Sequence, residues 1–274
     1  MIDLHTHSTA SDGSDAPARI PELAAAAGCK AVALTDHDRL DGIAEARASA
    51  EAVGIELVSG CEISCEVEAG TMHVLVYFVE PGEGPLQDEL LRLQDERDRR
   101  NEVMARVLDI PYGELVAEAG GRGAGRPHAA AILVRRGLAS SIQDAFDKFL
   151  AKGRPGYVEK ERLTPAVALG LARASGGVPV LAHPLSLELG STTALEATVR
   201  ELAGLGLGGL EAVYGRYSPD ERSGLADLAG RLGLAVTGGS DHHGTYKPDL
   251  SVGTGRGDLC VPDALLDELR SGAA

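Results

Sequence analysis

The chain has no tryptophan, and aromatic residues make up only 3% of its 274 positions. Large aromatic anchors therefore cannot fill a core, and Leu, Val and Ala must do so. With 44% apolar residues there are enough of them, and so much alanine predicts close helix–sheet approach. Cations are also scarce: 26 Lys and Arg stand against 41 Asp and Glu, a formal net charge of −15. That balance argues against a general grip on long nucleic acid, whose phosphates need many cations. A small anionic substrate stays possible, because bound metal ions can reverse a local field. The four cysteines, Cys29, Cys61, Cys65 and Cys260, form no Cys-x-x-Cys pair. They read as buried free thiols of a reducing compartment, not as a disulfide framework. No apolar run reaches transmembrane length, and no basic stretch leads into an apolar one near Met1. These absences predict a cytoplasmic protein with no membrane partner. The sequence is compatible with a monomer but does not fix the oligomeric state.

What remains is an alternation. Short apolar runs at 2–4, 31–34, 56–59, 72–78, 178–182, 209–213 and 234–236 are separated by helix-period segments at 16–27, 41–53, 193–205 and 219–232. Strand-then-helix order predicts an α/β fold built on a parallel sheet. Seven strands with polar residues at most tips favour a closed or nearly closed barrel over an open sheet. The alternation breaks over 84–165, which reads as a helical insertion between barrel segments 1–83 and 166–274. The insertion holds 14 Lys and Arg against 13 Asp and Glu, whereas the other 192 residues hold 12 against 28. It reads either as a lid over the barrel mouth or as a solvated helical decoration.

Seven of the eight histidines lie beside an apolar run. His5 and His7 end the first, His37 follows the second, His73 opens the fourth, His183 follows the fifth, and His242 and His243 follow the last. Only His128 stands apart. Side chains at the tips of successive barrel strands converge on one face, so these rings are expected in one site. His5 and His7, two apart on an extended strand, share a side and can chelate one ion, although such a pair is weak by itself. Asp12, in Ser11-Asp12-Gly13, is a turn-capping residue or a ligand. Glu62 sits at the end of a buried run, where a carboxylate is costly unless paired or metal-bound. His73 lies at the wrong end of its run for a plain parallel strand, so either the barrel is distorted there or His73 is a satisfied core histidine. Alternation puts Asp241 and His243 on one side and His242 on the other. Ser8, Ser11 and Ser240 read as turn and hydrogen-bonding residues.

Taken in order, His-x-His, Asp-Gly, Thr-Asp-His, Gly-x-Glu, His, His-Pro and Ser-Asp-x-His resemble the polymerase and histidinol phosphatase (PHP) superfamily. The resemblance runs from His5 to His243. It implies a distorted seven-stranded (βα) barrel holding two or three divalent ions. His5, His7, Glu62 and Asp241 would hold one, and Glu62 would bridge to a second held also by His73 and His183. Asp12, His37 and His243 would hold a third. Asp12, His37, Glu62, Asp241 and His243 are assigned to the catalytic centre as well. Nine O and N donors without a thiolate suit Mn²⁺, Fe²⁺ or Zn²⁺. Three such ions bring a charge of about +6 against three ligand carboxylates, a field suited to a phosphate ester attacked by a metal-bound hydroxide.

Within the insertion, Gly125-Arg126-Pro127-His128 and Lys152-Gly153-Arg154-Pro155-Gly156-Tyr157 resemble segments of the PHP subgroup that acts on nucleotides. The resemblance implies substrate contacts from Arg126, His128, Lys152, Arg154 and Tyr157. Arg126 suits bidentate phosphate binding and Tyr157 stacking on a base; the alternative for each is a loop-stabilising role. The chain departs from the subgroup near 105–114, where the passage between helices is several residues short. The expected function is hydrolysis of the 3′-phosphate of nucleoside 3′,5′-bisphosphates, or 5′→3′ trimming of very short RNA. The alternatives are a phosphatase of another small ester such as histidinol phosphate, and a non-catalytic scaffold. The expected partner is a small nucleotide or short oligonucleotide, not a long duplex.

Overall fold

A computed structural model describes residues 1–121 and 123–271. Arg122, in the insertion expected at 84–165, lies outside the described residues. Seven strands form one sheet in chain order: β1 (Ile2–Asp3), β2 (Ala31–Leu34), β3 (Glu56–Cys65), β4 (Met72–Tyr77), β5 (Val178–Leu181), β6 (Gly209–Tyr214) and β7 (Ala235–Gly239). Its first and last strands also meet. Leu4 N–H donates to Gly238 O at 3.0 Å and Asp241 N–H to His5 O at 2.8 Å, so the barrel is nearly closed.

The sheet is not wholly parallel, which corrects the expectation from the alternation. β4 runs antiparallel to both β3 and β5, and the remaining neighbours are parallel. β3 continues to Cys65, well past the apolar run that announced it, and no helix separates it from β4. The reversal settles the position of His73. In an antiparallel strand the first residues lie at the rim where parallel neighbours end, and His73 pairs in register with Ser64 near the end of β3.

Alternation along the strands sorts two cores. Ile2, Leu4, Ala31, Ala33, Val58, Leu75, Tyr77, Val178 and Val180 pack together with Leu266 and Leu269 of the C-terminal helix α10 (Ala264–Ser271). Their neighbours Val32, Leu34, Ile63, Val74, Val76, Leu181 and Leu210 belong to a second cluster, which the surrounding helices complete. Those helices are α1 (Arg19–Ala26), α2 (Ile43–Val53), α7 (Pro165–Ala174), α8 (Thr192–Gly204) and α9 (Pro219–Leu232). Their boundaries follow ordinary signals. Thr164, Ser191 and Ser218 accept the first free N–H groups of α7, α8 and α9, and Pro219 and Pro165 occupy first-turn positions. The sequence pattern did not announce α7 or α10.

Between β4 and α7 lie α3 (Pro85–Val107), α4 (Tyr112–Glu118), α5 (Arg126–Arg135) and α6 (Ile142–Ala145), continued by a π-helical stretch Phe146–Leu150. Met104, Ile110, Leu115, Ile132, Leu133 and Leu150 give this segment a core of its own. The short passage near 105–114 is a tight turn between α3 and α4 in which Asp109 has φ +53°. The buried Asp38 ties the segment to the barrel. It accepts from Arg97 of α3 at 2.5 Å and from Lys160 at 2.7 Å, and its carbonyl accepts from Gln94 at 2.9 Å. Cys29, Cys61 and Cys65 are buried free thiols, whereas Cys260 is exposed, because it lies in the coil leading to α10 and not in a strand.

Candidate metal centre and the cavity above it

The nine ligand-type residues converge on the rim of the barrel. His5, His7, His183, Asp241, His243 and Asp12 come from the loops after β1, β5 and β7, and His37 follows β2. Glu62 and His73 lie within β3 and β4. Two of these loops are held in unusual backbone, His183 at φ +28° and Asp241 at φ +57°. Such conformations persist where surrounding contacts fix them and are frequent at functional sites. β7 can approach β1 this closely because position 239 is glycine. A Cβ there would lie 2.4 Å from His5 N.

Glu62 is the hub. Its Oε1 lies 2.9 Å from His73 Nδ1 and 3.0 Å from His183 Nε2. Its Oε2 lies 3.1 Å from His37 Nδ1, 3.3 Å from His7 Nε2 and 3.5 Å from His5 Nε2. Asp241 Oδ1 is 3.4–3.5 Å from His5, His7 and His243, and Asp12 Oδ1 is 3.3 Å from His243 Nε2. Three donor groups result: His5 with His7 and Asp241; His37 with Glu62 and His73; and His7 with Asp12, His37 and His243. His7 and His37 each face two groups, a sharing that the linear order of motifs did not show.

Donor chemistry fits divalent cations. His5 Nε2 and His7 Nε2 face one another at 3.1 Å. Buried His7 Nδ1 and His37 Nδ1 have no hydrogen-bond partner, and orphaned buried nitrogens aimed into a carboxylate cluster are what an ion would satisfy. Donor separations near 3.3 Å are those of O and N atoms around an ion with bonds of about 2.0–2.2 Å. Burial alone would raise the Glu62 pKa, but His73, His37 and His5 outweigh it and hold the carboxyl well below its usual range. Asp12, beside His37 and His243, and Asp241, beside Lys247 and His243, are lowered against burial in the same way. Burial pushes His37 and His73 down, and with Lys247 it takes His243 down to about 4. Burial thus favours lone pairs on these three rings, whereas against burial the surrounding carboxylates hold His5 and His7 up, His7 to about 9, so a cation bound there would replace protons.

Supporting contacts hold the loops in place. Asp36 accepts from Ser8 N, Ser8 Oγ and Ser11 Oγ at 2.6–2.8 Å, and Ser240 N donates to Asp3 at 2.9 Å. His242 turns away from the cluster, with its nitrogens 2.8 Å from Leu250 O and 2.9 Å from Asp15.

Above the cluster is a cavity of about 480 Å³, with Asp12, His37, His73 and His243 in its wall. Seven cations line it, Arg97, Arg100, Arg126, Lys160, Arg162, Arg216 and Lys247, against the carboxylates Asp12 and Asp147. On a chain of net charge −15 this is a local concentration of cations, although Arg97, Lys160, Arg162, Arg216 and Lys247 also pair with carboxylates behind or beside the wall. Burial and the neighbouring Arg97, Arg126 and Arg162 push Arg100 down to about 9, and burial with Arg97 pushes Lys160 down to about 8. The Nε atoms of Arg97 and Arg100 are buried without partners. A cationic wall with unmet donors is a place for an anion.

Of the insertion residues, Arg126 lines this cavity, with its guanidinium carbon 5.7 Å from the Phe146 ring centre and 5.9 Å from that of Tyr157. One face of Tyr157 is thus already taken by Arg126. Tyr157 and the exposed Lys152 line a wider outer cleft of about 1490 Å³ that shares Arg126, Arg100, Lys160 and Arg162 with the inner cavity. Arg154 is exposed and lines neither. His128 is buried, its Nδ1 accepts the Gly125 N–H at 3.1 Å, and its ring meets Tyr246 edge-on; it stabilises the start of α5. The motifs did not mark Arg97, Arg100, Lys160, Arg162, Arg216 or Lys247.

A PHP domain model matches residues 3–152. The chain belongs to the PHP domain family. It is 32% identical over 258 residues to the 3′,5′-nucleoside bisphosphate phosphatase of Chromobacterium violaceum, covering 92% of this chain and 90% of that protein. It is 36% identical over 251 residues to the 5′-3′ exoribonuclease Rnm of Escherichia coli, covering 89% and 85%. Among solved structures it is similar to a chain from Bifidobacterium adolescentis described as a metal-dependent phosphoesterase, with a TM-score of 0.87, 28% identity, and 100% and 96% coverage. This PHP-family barrel therefore has hydrolase relatives along nearly its whole length. No helix among the described residues is long and apolar enough to cross a membrane.

Proposed function

We propose that this PHP-family hydrolase is a metal-dependent phosphoesterase that removes the 3′-phosphate of nucleoside 3′,5′-bisphosphates. The observation that carries this reading is a cationic cavity opening directly onto a nine-donor cluster in an otherwise acidic protein. His5, His7, Glu62 and Asp241 would hold one ion, Glu62, His73 and His183 a second, and Asp12, His37 and His243 a third, with Mn²⁺, Fe²⁺ or Zn²⁺ as candidates. When bound, the ions supply Lewis acidity toward a phosphoryl oxygen and a nucleophilic water at neutral pH.

The side chains then have separate tasks. Asp12, His37 and His243 lie in the cavity wall and would hold an ion on the side from which the ester phosphate enters. Arg126, fixed between Phe146 and Tyr157, takes the second phosphate with Arg97, Arg100 and Lys160, so the nucleotide is held at both ends. The 84–165 segment acts as a lid over the barrel mouth. Exposed Lys152 and Arg154 would meet only the outer part of a longer substrate. The seven cations also disfavour histidinol phosphate, whose ammonium group would face them. A non-catalytic scaffold would have no use for nine assembled donors. A secondary activity, 5′→3′ trimming of a few nucleotides, is favoured by the continuity of the outer cleft with the inner cavity.

A competition assay with added Mn²⁺ tests this. Adenosine 3′,5′-bisphosphate, a 5′-phosphorylated trinucleotide, a long duplex and histidinol phosphate are offered at equal phosphorus. The bisphosphate and the trinucleotide are expected to react in preference to the duplex, because the acidic exterior lacks a cationic track for one. Preferential cleavage of the duplex would refute the end-holding role of the lid, and preference for histidinol phosphate would move the protein to another substrate class.

A further inference from the structure

Strand β6 contributes no donor to the cluster, although every other strand or the loop after it does. Its polar side chains nonetheless reach three of the donors. Glu211, fully buried in an otherwise apolar strand, has Oε1 2.9 Å from His5 Nδ1, and its Oε2 accepts the backbone N–H of His183 at 2.7 Å. The Tyr214 hydroxyl donates to Asp241 Oδ2 at 2.7 Å. Residues three apart on a regular strand point to opposite faces. Here a bulge between Glu211 and Val213 changes the register, so that Glu211 pairs with Thr237 and Tyr214 with Gly239. Thr237 and Gly239 share a face, and the bulge therefore brings both β6 side chains to the site.

We propose that β6 aligns the metal centre, with Glu211 and Tyr214 as positioning residues; the inference rests on the metal-dependent reading above. Glu211 Oε1 engages His5 Nδ1, so the ring is turned with Nε2 toward Glu62 and Asp241. The other oxygen of the same carboxylate holds His183 at its positive φ, where an L-residue needs support. One side chain thus couples His5, which faces Glu62 Oε2, to His183, which faces Oε1. Tyr214 and Lys247 both donate to Asp241 Oδ2 at 2.7 Å, and this leaves Oδ1 for His5, His7 and His243. Burying a carboxylate in an apolar strand is costly, and the ordering of two donors explains its presence.

Metal-stripped wild type, Glu211→Gln and Tyr214→Phe are titrated with Mn²⁺ and with Zn²⁺ by calorimetry, and bound metal is counted by elemental analysis. Urea unfolding of each metal-free protein reports the fold separately. A glutamine at 211 cannot accept from both partners, because its NH₂ must face either His5 or His183. Glu211→Gln is expected to bind at least one ion about 10–100-fold more weakly, with phosphate release recovering at raised metal concentration. Tyr214→Phe, which keeps the ring, is expected to show a smaller loss of affinity and decides the matter if Glu211→Gln does not fold. Affinities equal to wild type in the folded variants would overturn the inference alone. A wild type that binds neither ion would overturn the metal reading and this inference with it.

Discussion

Replacing Asp38 with Asn tests how the helical segment is fastened to the barrel. The Asp38 carboxylate is buried and faces two cations that are themselves largely buried, Arg97 at 2.5 Å and Lys160 at 2.7 Å. The amide side chain would keep the shape and leave both cations without a counter-charge. Breaking a buried pair from one side costs about 3–5 kcal/mol, which lowers Tm by roughly 2 °C per kcal/mol in a chain of this size. Part of that penalty can be relieved, because Lys160 is able to shed its proton and Arg97 is not. Burial and Arg97 already push Lys160 down to about 8, against the attraction of Asp38. Its folded pKa lies below the unfolded value of about 10.4. The unfolded chain holds that proton more tightly, and stability from this group rises with pH between the two values. Removing the Asp38 charge lowers the folded value further, so the rise begins at lower pH in Asp38→Asn. The gap to wild type should therefore be largest near pH 6 and smaller by about 1–2 kcal/mol at pH 9. Urea unfolding of the metal-free proteins at both pH values measures it. A variant as stable as wild type would refute the pairing argument, and a loss identical at the two pH values would refute the part assigned to Lys160.

Two further expectations concern the site. Glu62→Gln keeps the shape of a side chain faced by five imidazole nitrogens within 3.5 Å but removes the shared charge; elemental analysis should find fewer ions per chain and phosphate release should fall by several orders of magnitude. Full metal content with full activity in this variant would contradict the hub role of Glu62. Arg126→Ala should lower kcat/KM for a nucleoside bisphosphate by about 2–3 kcal/mol, through loss of a charge-assisted phosphate contact, with metal content unchanged. An equal fall for a generic aryl phosphate would make Arg126 a structural or catalytic residue, not one that sets specificity.

How much of this could be read from the chain depended on whether a residue's reason is local. The strands and the convergence of the donor-type residues were legible because apolar runs end where polar donors begin. The reversed β4 left one trace, His73 at the beginning of its run, and that trace allowed a core histidine equally well. Pairing direction is set by a partner strand, not by the strand's own pattern. The cationic wall was hidden for a different reason. Arg97 and Arg100 are three apart on α3 and so on one face, but the helix carries charge all round, and nothing in its sequence separates the face turned to the cavity from those turned to water.

Glu211 shows where such reading could have gone further. A carboxylate inside Leu210-Glu211-Ala212-Val213 carries the same signal that singled out Glu62, a charge in a run that must be buried. Glu62 stood out because it follows Ser59-Gly60-Cys61 at the end of a run and fits an ordered set of motifs, whereas Glu211 belongs to none. Its partners, His5 Nδ1 and the His183 N–H, lie on the sides of those residues that face away from the donor cluster. The motifs record the residues whose donor atoms converge on the cluster. The atoms that contact those residues from behind belong to β6, the strand without a motif. Other PHP-type barrels can be searched on the same physical ground, by looking for a buried acid in the strand whose tip offers no donor.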